Sequence, residues 1–412
     1  MKKEPGRNAG LFFRLRLETS RNGQVSKSSI LELPRACADA ERPEPAMPDS
    51  AVRVIAYYLP QFHPIPENDA WWGKGFTEWT NVTRARPLFR GHEQPKLPAD
   101  LGFYDLRVQE VREQQADLAR QYGIEGFCYW HYWFNGKRLL NRPLDEMRAS
   151  GRPNFPFCVG WANESWTRRW TGEEKEVLLQ QTYSCEDDVA HARWLAELFA
   201  DPRYIQIDGR PVFVLYRAPG LPDPQRTTDT IRAETVRLGL PEPFIVGRDT
   251  HNPRVDMRQF GCDISEYSSP ALGALPRVSL PLDKSDLIRN LRLGVPAADL
   301  KIYDYADGCR LMEADRPKYP HLRGFFVGWD NTPRRGRKAI ILINATPEAF
   351  AQGLRATIES MRGEPANRRI LFVNAWNEWA EGMALEPSQR YGHGFLQALR
   401  DELGREAASS VG

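Results

Sequence analysis

An α/β fold, a (β/α)8 TIM-type barrel, is the architecture that this 412-residue sequence predicts. Three observations carry the prediction. Eight short runs are continuously apolar and rich in β-branched and aromatic residues, as strands buried on both faces require. Helical patterns fill the spaces between several of them. No G-x-G-x-x-G opens a helix, although a doubly wound open sheet usually carries its phosphate loop after the first strand.

In chain order the runs are RVIAYYL (53–59), IEGFCYW (124–130), FPFCVGW (155–161), PVFVLY (211–216), PFIVG (243–247), DISEYS (263–268), GFFVGW (324–329) and RILFVNAW (369–376). Val111, Leu118, Ala119 and Tyr122 share one helical face, as do Val189, Ala192, Ala196 and Phe199, and again Phe350, Leu354, Ile358 and Met361. The last of these helices opens with Thr346 as N-cap and Pro347 at its first position, and Gly363 follows its final apolar residue. Between the sixth and seventh runs, residues 269 to about 300 are too many for a plain connection. A helix near Lys284 to Leu293 is expected there, shaping one wall of a cleft. Residues 1–50 are polar, basic at the start and aperiodic, so a disordered extension is expected, with Met47 as an alternative start. Residues 51–402 are expected to form one catalytic domain and 403–412 a flexible tail.

A hydrophobic fraction of 41%, a charged fraction of 27% and a net charge of +2 supply no field for nucleic acid or membrane binding. Aromatics interleaved with arginines also suit single-stranded nucleic acid, but the basic groove that would need is missing. No apolar run approaches the roughly 20 residues of a spanning helix, and GLFF is shorter than the core of about 7–15 in a signal peptide. A cytoplasmic location, extending to peripheral contact with the inner membrane face, is expected. The six cysteines form no C-x-x-C and the seven histidines no H-E-x-x-H, so reduced thiols, no metal and no cofactor are expected. Composition leaves the oligomeric state open.

In such a barrel, catalytic groups sit at the C-terminal ends of strands. Aromatic and polar residues gather there after nearly every run. The candidates for substrate binding are Tyr58, His63 and Trp79 after the first run, and Trp130 and His131 at the second. The third contributes Trp161, Asn163, Glu164, Trp166, Arg169 and Trp170, and the fourth Tyr216. Glu266 and Tyr267 belong to the sixth, Trp329 and Asp330 to the seventh, and Trp376, Asn377 and Trp379 to the eighth. Of the 12 tryptophans, only Trp194 lies away from these positions. Indoles ordinarily serve as core, but flat faces among Asn, Arg and carboxylates suit a ligand with an apolar C–H face and many hydroxyls, a sugar. Glu164 is equally suited to pair with Arg168 or Arg169. Arg334 and Arg335 suit either a phosphate or acidic sugar or a solvated basic loop.

The stretch LFVNAWNEWAEG delivers Glu378 and Glu381 three residues apart after the last run, close enough on a helical turn to address one substrate. Two carboxylates in an aromatic pocket cannot both ionise freely, so one should rise toward a general acid while the other remains a base. Glycosidic bond chemistry needs that division.

The blocks YYLPQFHPIPENDAWWGKGFTEWTNV, GFCYWHYWF, WANESWTRRW, GWDNTPRRG and NAWNEWAEG resemble the WbsX-type glycosyltransferase-like proteins of bacterial polysaccharide gene clusters. That group is related to glycoside hydrolase family 99, the endo-α-mannosidases and endo-α-mannanases. The resemblance runs from about Arg53 to about Leu399 and implies a (β/α)8 barrel. It also implies that Glu378 acts as base on a sugar 2-hydroxyl and Glu381 as acid, then base, at the glycosidic oxygen, with retention through a 1,2-anhydro sugar. The hydrolases usually read E-W-H-E, whereas Ala380 stands here in place of the histidine.

The expected function is therefore to make or cleave glycosidic bonds in bacterial surface polysaccharide, lipopolysaccharide O-antigen or capsule, acting on oligo- or polysaccharide that is free or lipid-linked. A non-catalytic carbohydrate-binding barrel, a strict endo-acting α-mannoside hydrolase and a barrel enzyme for small phosphorylated substrates are the alternatives. No Asp-x-Asp occurs, the pattern with which metal-assisted nucleotide-sugar transferases commonly hold their cation.

Overall fold

The computed structural model describes residues 52–168, 173–249, 254–268, 270–279 and 300–409. Its centre is a barrel of eight parallel strands: β1 (Arg53–Tyr58), β2 (Gly126–Phe134), β3 (Phe157–Trp161), β4 (Arg210–Leu215), β5 (Phe244–Arg248), β6 (Ile264–Tyr267), β7 (His321–Phe326) and β8 (Ile370–Asn374). Each pairs in parallel with the next, and β8 returns to pair with β1, so the sheet has no open edge. Every strand falls on or overlaps a run marked by the sequence. Side chains such as Val54, Ile55, Phe213, Val214, Phe372 and Val373 are wholly buried. Sequestering each large apolar side chain stabilises the fold by about 1.5–3 kcal/mol.

Around the barrel lie α1 (Gln109–Gln121), α2 (Arg142–Ser150), α3 (Cys185–Phe199), α4 (Pro224–Arg237), α5 (Tyr305–Ala314), α6 (Pro347–Glu359) and α7 (Gly394–Ser409). Between β5 and β6 the described residues form a 3-10 turn, Met257–Phe260. The Thr346 hydroxyl caps α6 by accepting from the Ala349 amide at 3.3 Å. None of the described helices is long and apolar enough to cross a membrane.

The flexible tail expected from residue 403 is instead helical through Ser409. Ion pairs of 2.8 Å from Arg355 to Glu402 and from Arg362 to Glu406 tie α7 to α6 and its C-terminal end, and Leu399 is buried beneath. Both the N-terminal extension and the expected helix near Lys284 to Leu293 lie outside the described residues.

One feature outside the barrel positions the site. Lys301–Asp304 pairs in parallel with Ile340–Ile343, burying Leu88, Phe89, Ile302 and Ile341. The Leu342 amide then reaches the Trp329 carbonyl at 2.7 Å, and the Ile340 amide the Asn331 side chain at 2.9 Å. The loop after β7 is thereby folded over the C-terminal mouth of the barrel.

Candidate active site

A cleft of about 410 Å³ opens at the C-terminal ends of the strands. Trp72, Trp130, Trp166 and Trp329 supply its aromatic walls, and Tyr132, Glu164, Tyr216, Arg248, Glu378 and Glu381 its polar groups. Gly160 of β3 leaves room for Trp130, since a Cβ there would meet the indole at 3.0 Å.

The sequence WNEWAEG builds the acidic turn. The Trp376 amide donates to the Tyr57 carbonyl at 2.8 Å, fastening the segment to β1. The side chain of Asn377 bonds both the amide (2.7 Å) and the carbonyl (3.1 Å) of Leu59. Asn377–Glu378 pairs with Met383–Ala384, and Trp379–Glu381 forms one 3-10 turn between them. Gly382 closes that turn at φ +70°, where a side chain would be strained and its Cβ would stand 2.9 Å from the Asp330 nitrogen. That nitrogen donates to the Glu381 carbonyl at 2.7 Å.

Glu378 and Glu381 meet on one guanidinium. Arg334 Nη2 lies 2.5 Å from Glu378, its Nη1 2.8 Å from Glu381, and its Nε and Nη2 each 2.7 Å from Glu78. Glu78 is fully buried. Burial pushes the Glu378 carboxyl up to about 8; Arg334 opposes the rise, while the charges of Glu381 and Glu78 add to it. The Glu78 carboxyl is also raised by burial, and its three acidic neighbours hold Arg334 firmly charged. Three carboxylates around one cation, two of them shielded from water, retain a proton near neutral pH, and that proton belongs to the cluster.

Behind the turn, Glu386 accepts from Trp379 Nε1 (2.7 Å), Gln115 Nε2 (2.6 Å) and the Tyr104 hydroxyl (2.9 Å). Burial raises its carboxyl to about 7.

Of the residues expected at the site, Trp130, Glu164, Trp166, Tyr216, Trp329, Glu378 and Glu381 line the cleft. Several others do not, and strand geometry explains many of them. Side chains alternate across a strand, so Trp130 and Tyr132 face the cleft while His131 points outward to α3, with its Nε2 3.0 Å from His191 Nε2. Trp161 packs on the same histidine. Tyr58 turns away from the barrel interior, giving its hydroxyl to Gln115 of α1 at 2.7 Å. Tyr267 is buried against His321 and Trp376 against Phe127. Glu266, also buried, takes the Tyr57 hydroxyl and lies below the cleft. Asn163 brackets Arg217 through its amide and carbonyl, both at 2.9 Å, and Arg217 in turn holds Glu164 at 2.5 Å. Asp330 receives His92 and Gln94, each at 2.7 Å. Asn377 and Trp379 belong to the acidic turn itself, where Asn377 Nδ2 donates to the Tyr104 hydroxyl at 3.2 Å and Trp379 packs on Trp79, and His63 is buried. Arg169 and Trp170 lie outside the described residues. Glu78 and Trp72 were not among the expected site residues, although they fall within the first quoted block, beside aromatic residues; Arg248 was legible at the end of the fifth run but was given no role in binding.

Among the described residues, no group of three or more His, Cys, Asp or Glu could hold a metal ion.

The model of the family described as glycosyltransferase WbsX matches residues 54–399. The uncharacterized protein WxcX of Xanthomonas campestris pv. campestris is 41% identical over 367 residues, which cover 87% of this chain and 51% of that protein. The chain thus spans about half the length of the curated relatives it matches. Among solved structures, a GH99 endo-alpha-mannosidase from Bacteroides thetaiotaomicron superposes with a TM-score of 0.52 at 12% identity, covering 87% of this chain and 99% of the other. A glycoside hydrolase-like protein gives 0.52 at 14% identity, covering 86% and 94%. At these identities the likeness is one of fold.

Proposed function

Because the chain belongs to the WbsX glycosyltransferase family, we propose that it makes or breaks glycosidic bonds in bacterial surface polysaccharide, with Glu378 and Glu381 as the reacting pair. The observation that carries the reading is the Arg334 guanidinium, which gathers both carboxylates at the floor of a cleft walled by indoles. An oligo- or polysaccharide, free or lipid-linked, would lay the C–H faces of its rings on Trp130, Trp166 and Trp329 and its hydroxyls toward Glu164 and Tyr216.

In the first step Glu378 takes the proton of the sugar 2-hydroxyl as that oxygen attacks C1. Glu381 gives a proton to the departing glycosidic oxygen. In the second step Glu381 takes a proton from the acceptor hydroxyl, which opens the three-membered ring at C1, and Glu378 returns its proton to the 2-oxygen. The anomeric configuration is retained. The reacting form therefore carries the cluster's shared proton on Glu381 and leaves Glu378 ionised, the reverse of the division expected if the raised carboxyl were the acid. A base of raised proton affinity is better matched to a weakly acidic hydroxyl than an ordinary one. Arg334 fixes both acids in place beforehand, lowering the entropy lost on reaching the reacting geometry.

The test is to offer the purified protein α-mannans, and undecaprenyl-linked glycans with and without sugar nucleotides. Release of reducing sugar without a nucleotide donor assigns hydrolysis, including strict endo-acting α-mannoside cleavage, whereas growth of an acceptor assigns transfer. Glycan binding without turnover of any substrate would make the protein a lectin-like barrel and end the proposal.

A further inference from the structure

Arg248, at the C-terminal end of β5, is only 3% exposed yet lines the cleft. Its guanidinium lies 4.2 Å from the centre of the Tyr57 ring, 5.4 Å from Trp130 and 5.8 Å from Tyr216. Stacking beneath and aromatic walls at the sides hold the plane still. Its Nε stands 3.2 Å from Glu266 Oε2, but the geometry makes no hydrogen bond, and that oxygen is taken by the Tyr57 hydroxyl. Among the described residues, none accepts a hydrogen bond from the other nitrogens of Arg248. Nε is thus a buried donor without a partner, although buried polar groups in folded proteins are nearly always paired, and a guanidinium carries five donors. Arg334 beside it is engaged by three carboxylates, and Arg217 near by is held by Glu164.

A rigid, permanently charged fork with unfilled donors at the floor of a sugar-sized cleft is a receptor. We propose that Arg248 binds the carboxylate of an acidic sugar, so that the cleft selects uronic-acid-bearing glycans. The inference rests on the carbohydrate reading above and narrows its substrate class. Two coplanar carboxylate oxygens match a guanidinium edge in a bidentate pair. A phosphate dianion fits less well, because Glu378 and Glu381 share the same cleft and like charges repel. Glu266 behind the guanidinium balances its charge while leaving the donor edges to the ligand.

The experiment titrates the protein with glucuronate, galacturonate and mannuronate, each against its neutral counterpart, by calorimetry or NMR. These are binding readouts that need no turnover. In the wild type at least one uronate is expected to bind ten-fold or more tightly than its neutral partner. R248Q should erase that gap while keeping the neutral-sugar affinity, and R248K should retain only part of it. Should R248Q not fold, the R248Q/E266Q double variant, which removes both buried charges, gives the same readout. The inference is overturned if no uronate outbinds its neutral partner, if the gap survives in R248Q, or if inorganic phosphate binds at Arg248 more tightly than any uronate. Turnover of a neutral glycan without a uronate gap would overturn this inference and leave the proposed function standing. A uronate gap in a protein with no glycosidic activity would do the reverse.

Discussion

Glu378→Gln is expected to stabilise the protein at alkaline pH and to do so far less at pH 5.5. In the native state burial lifts the Glu378 carboxyl from the ordinary 4.5 to about 8; in the unfolded chain it titrates near its ordinary value. Between those two values the native state holds a proton that the unfolded state has released. The free energy of unfolding therefore falls as pH rises through this window, and the loss is complete above about 8. At about 1.4 kcal/mol for each pH unit, the gap corresponds to at most about 5 kcal/mol at pH 9. The glutamine, like the protonated carboxyl, is a neutral acceptor for Arg334, and the carboxylate's own attraction to Arg334 is already contained in the value of about 8. The gain expected at pH 9 is then at most about 5 kcal/mol. At pH 5.5, about one unit above the ordinary value, the wild type has lost only about 1.4 kcal/mol, and the gain should shrink to about that. Urea unfolding of both, followed by tryptophan fluorescence at pH 5.5, 7 and 9, measures the difference. Parallel stability curves, or a variant weaker than wild type at pH 9, would refute the charge balance described for the cluster.

On a glycan that the wild type processes, E378Q and E381Q should each lower turnover by about 10²–10⁴-fold while calorimetric glycan affinity stays within a few-fold; equal losses in binding and rate would reduce the pair to ligand contacts. With Glu378 as the base, kcat/KM should climb as pH rises toward about 8, so a rising limb near 4.5 in the pH–rate profile would contradict that role. Glu386→Ala strands the Trp379, Gln115 and Tyr104 donors in a buried site at about 1–3 kcal/mol each. A thermal midpoint unchanged from wild type would show that this network does not hold the acidic turn.

The strands were legible because a barrel strand covered by helices must be largely apolar along its length, and every run except DISEYS meets that demand. The same property hid the direction of the side chains. Where both faces are buried there is no polar alternation to say which residue looks inward, and a shift of one position exchanges the faces. Tyr58 was expected where Tyr57 points inward, and His131 was expected beside Trp130 although it faces α3. The acidic turn was legible because W-N-E-W-A-E-G joins its carboxylates locally. Arg334 stood in the sequence as one of several basic residues in TPRRGRK, and only the fold turns it toward Glu78, from the loop after β1, and the two acids after β8.

Spacing can show that two acids are neighbours, but the chemistry depends on how many charges surround them and how much water reaches them. With Glu78 included, one cation faces three carboxyl groups, two of them largely withdrawn from solvent. Full ionisation would leave a net charge of −2 in a poorly solvated site, so the cluster keeps a proton where an isolated Glu–Arg pair would not. Removing Glu78 would bring the balance nearer to neutral and let Glu378 ionise at lower pH. The third acid, contributed from the far end of the chain, thus adds to the rise that burial imposes on Glu378.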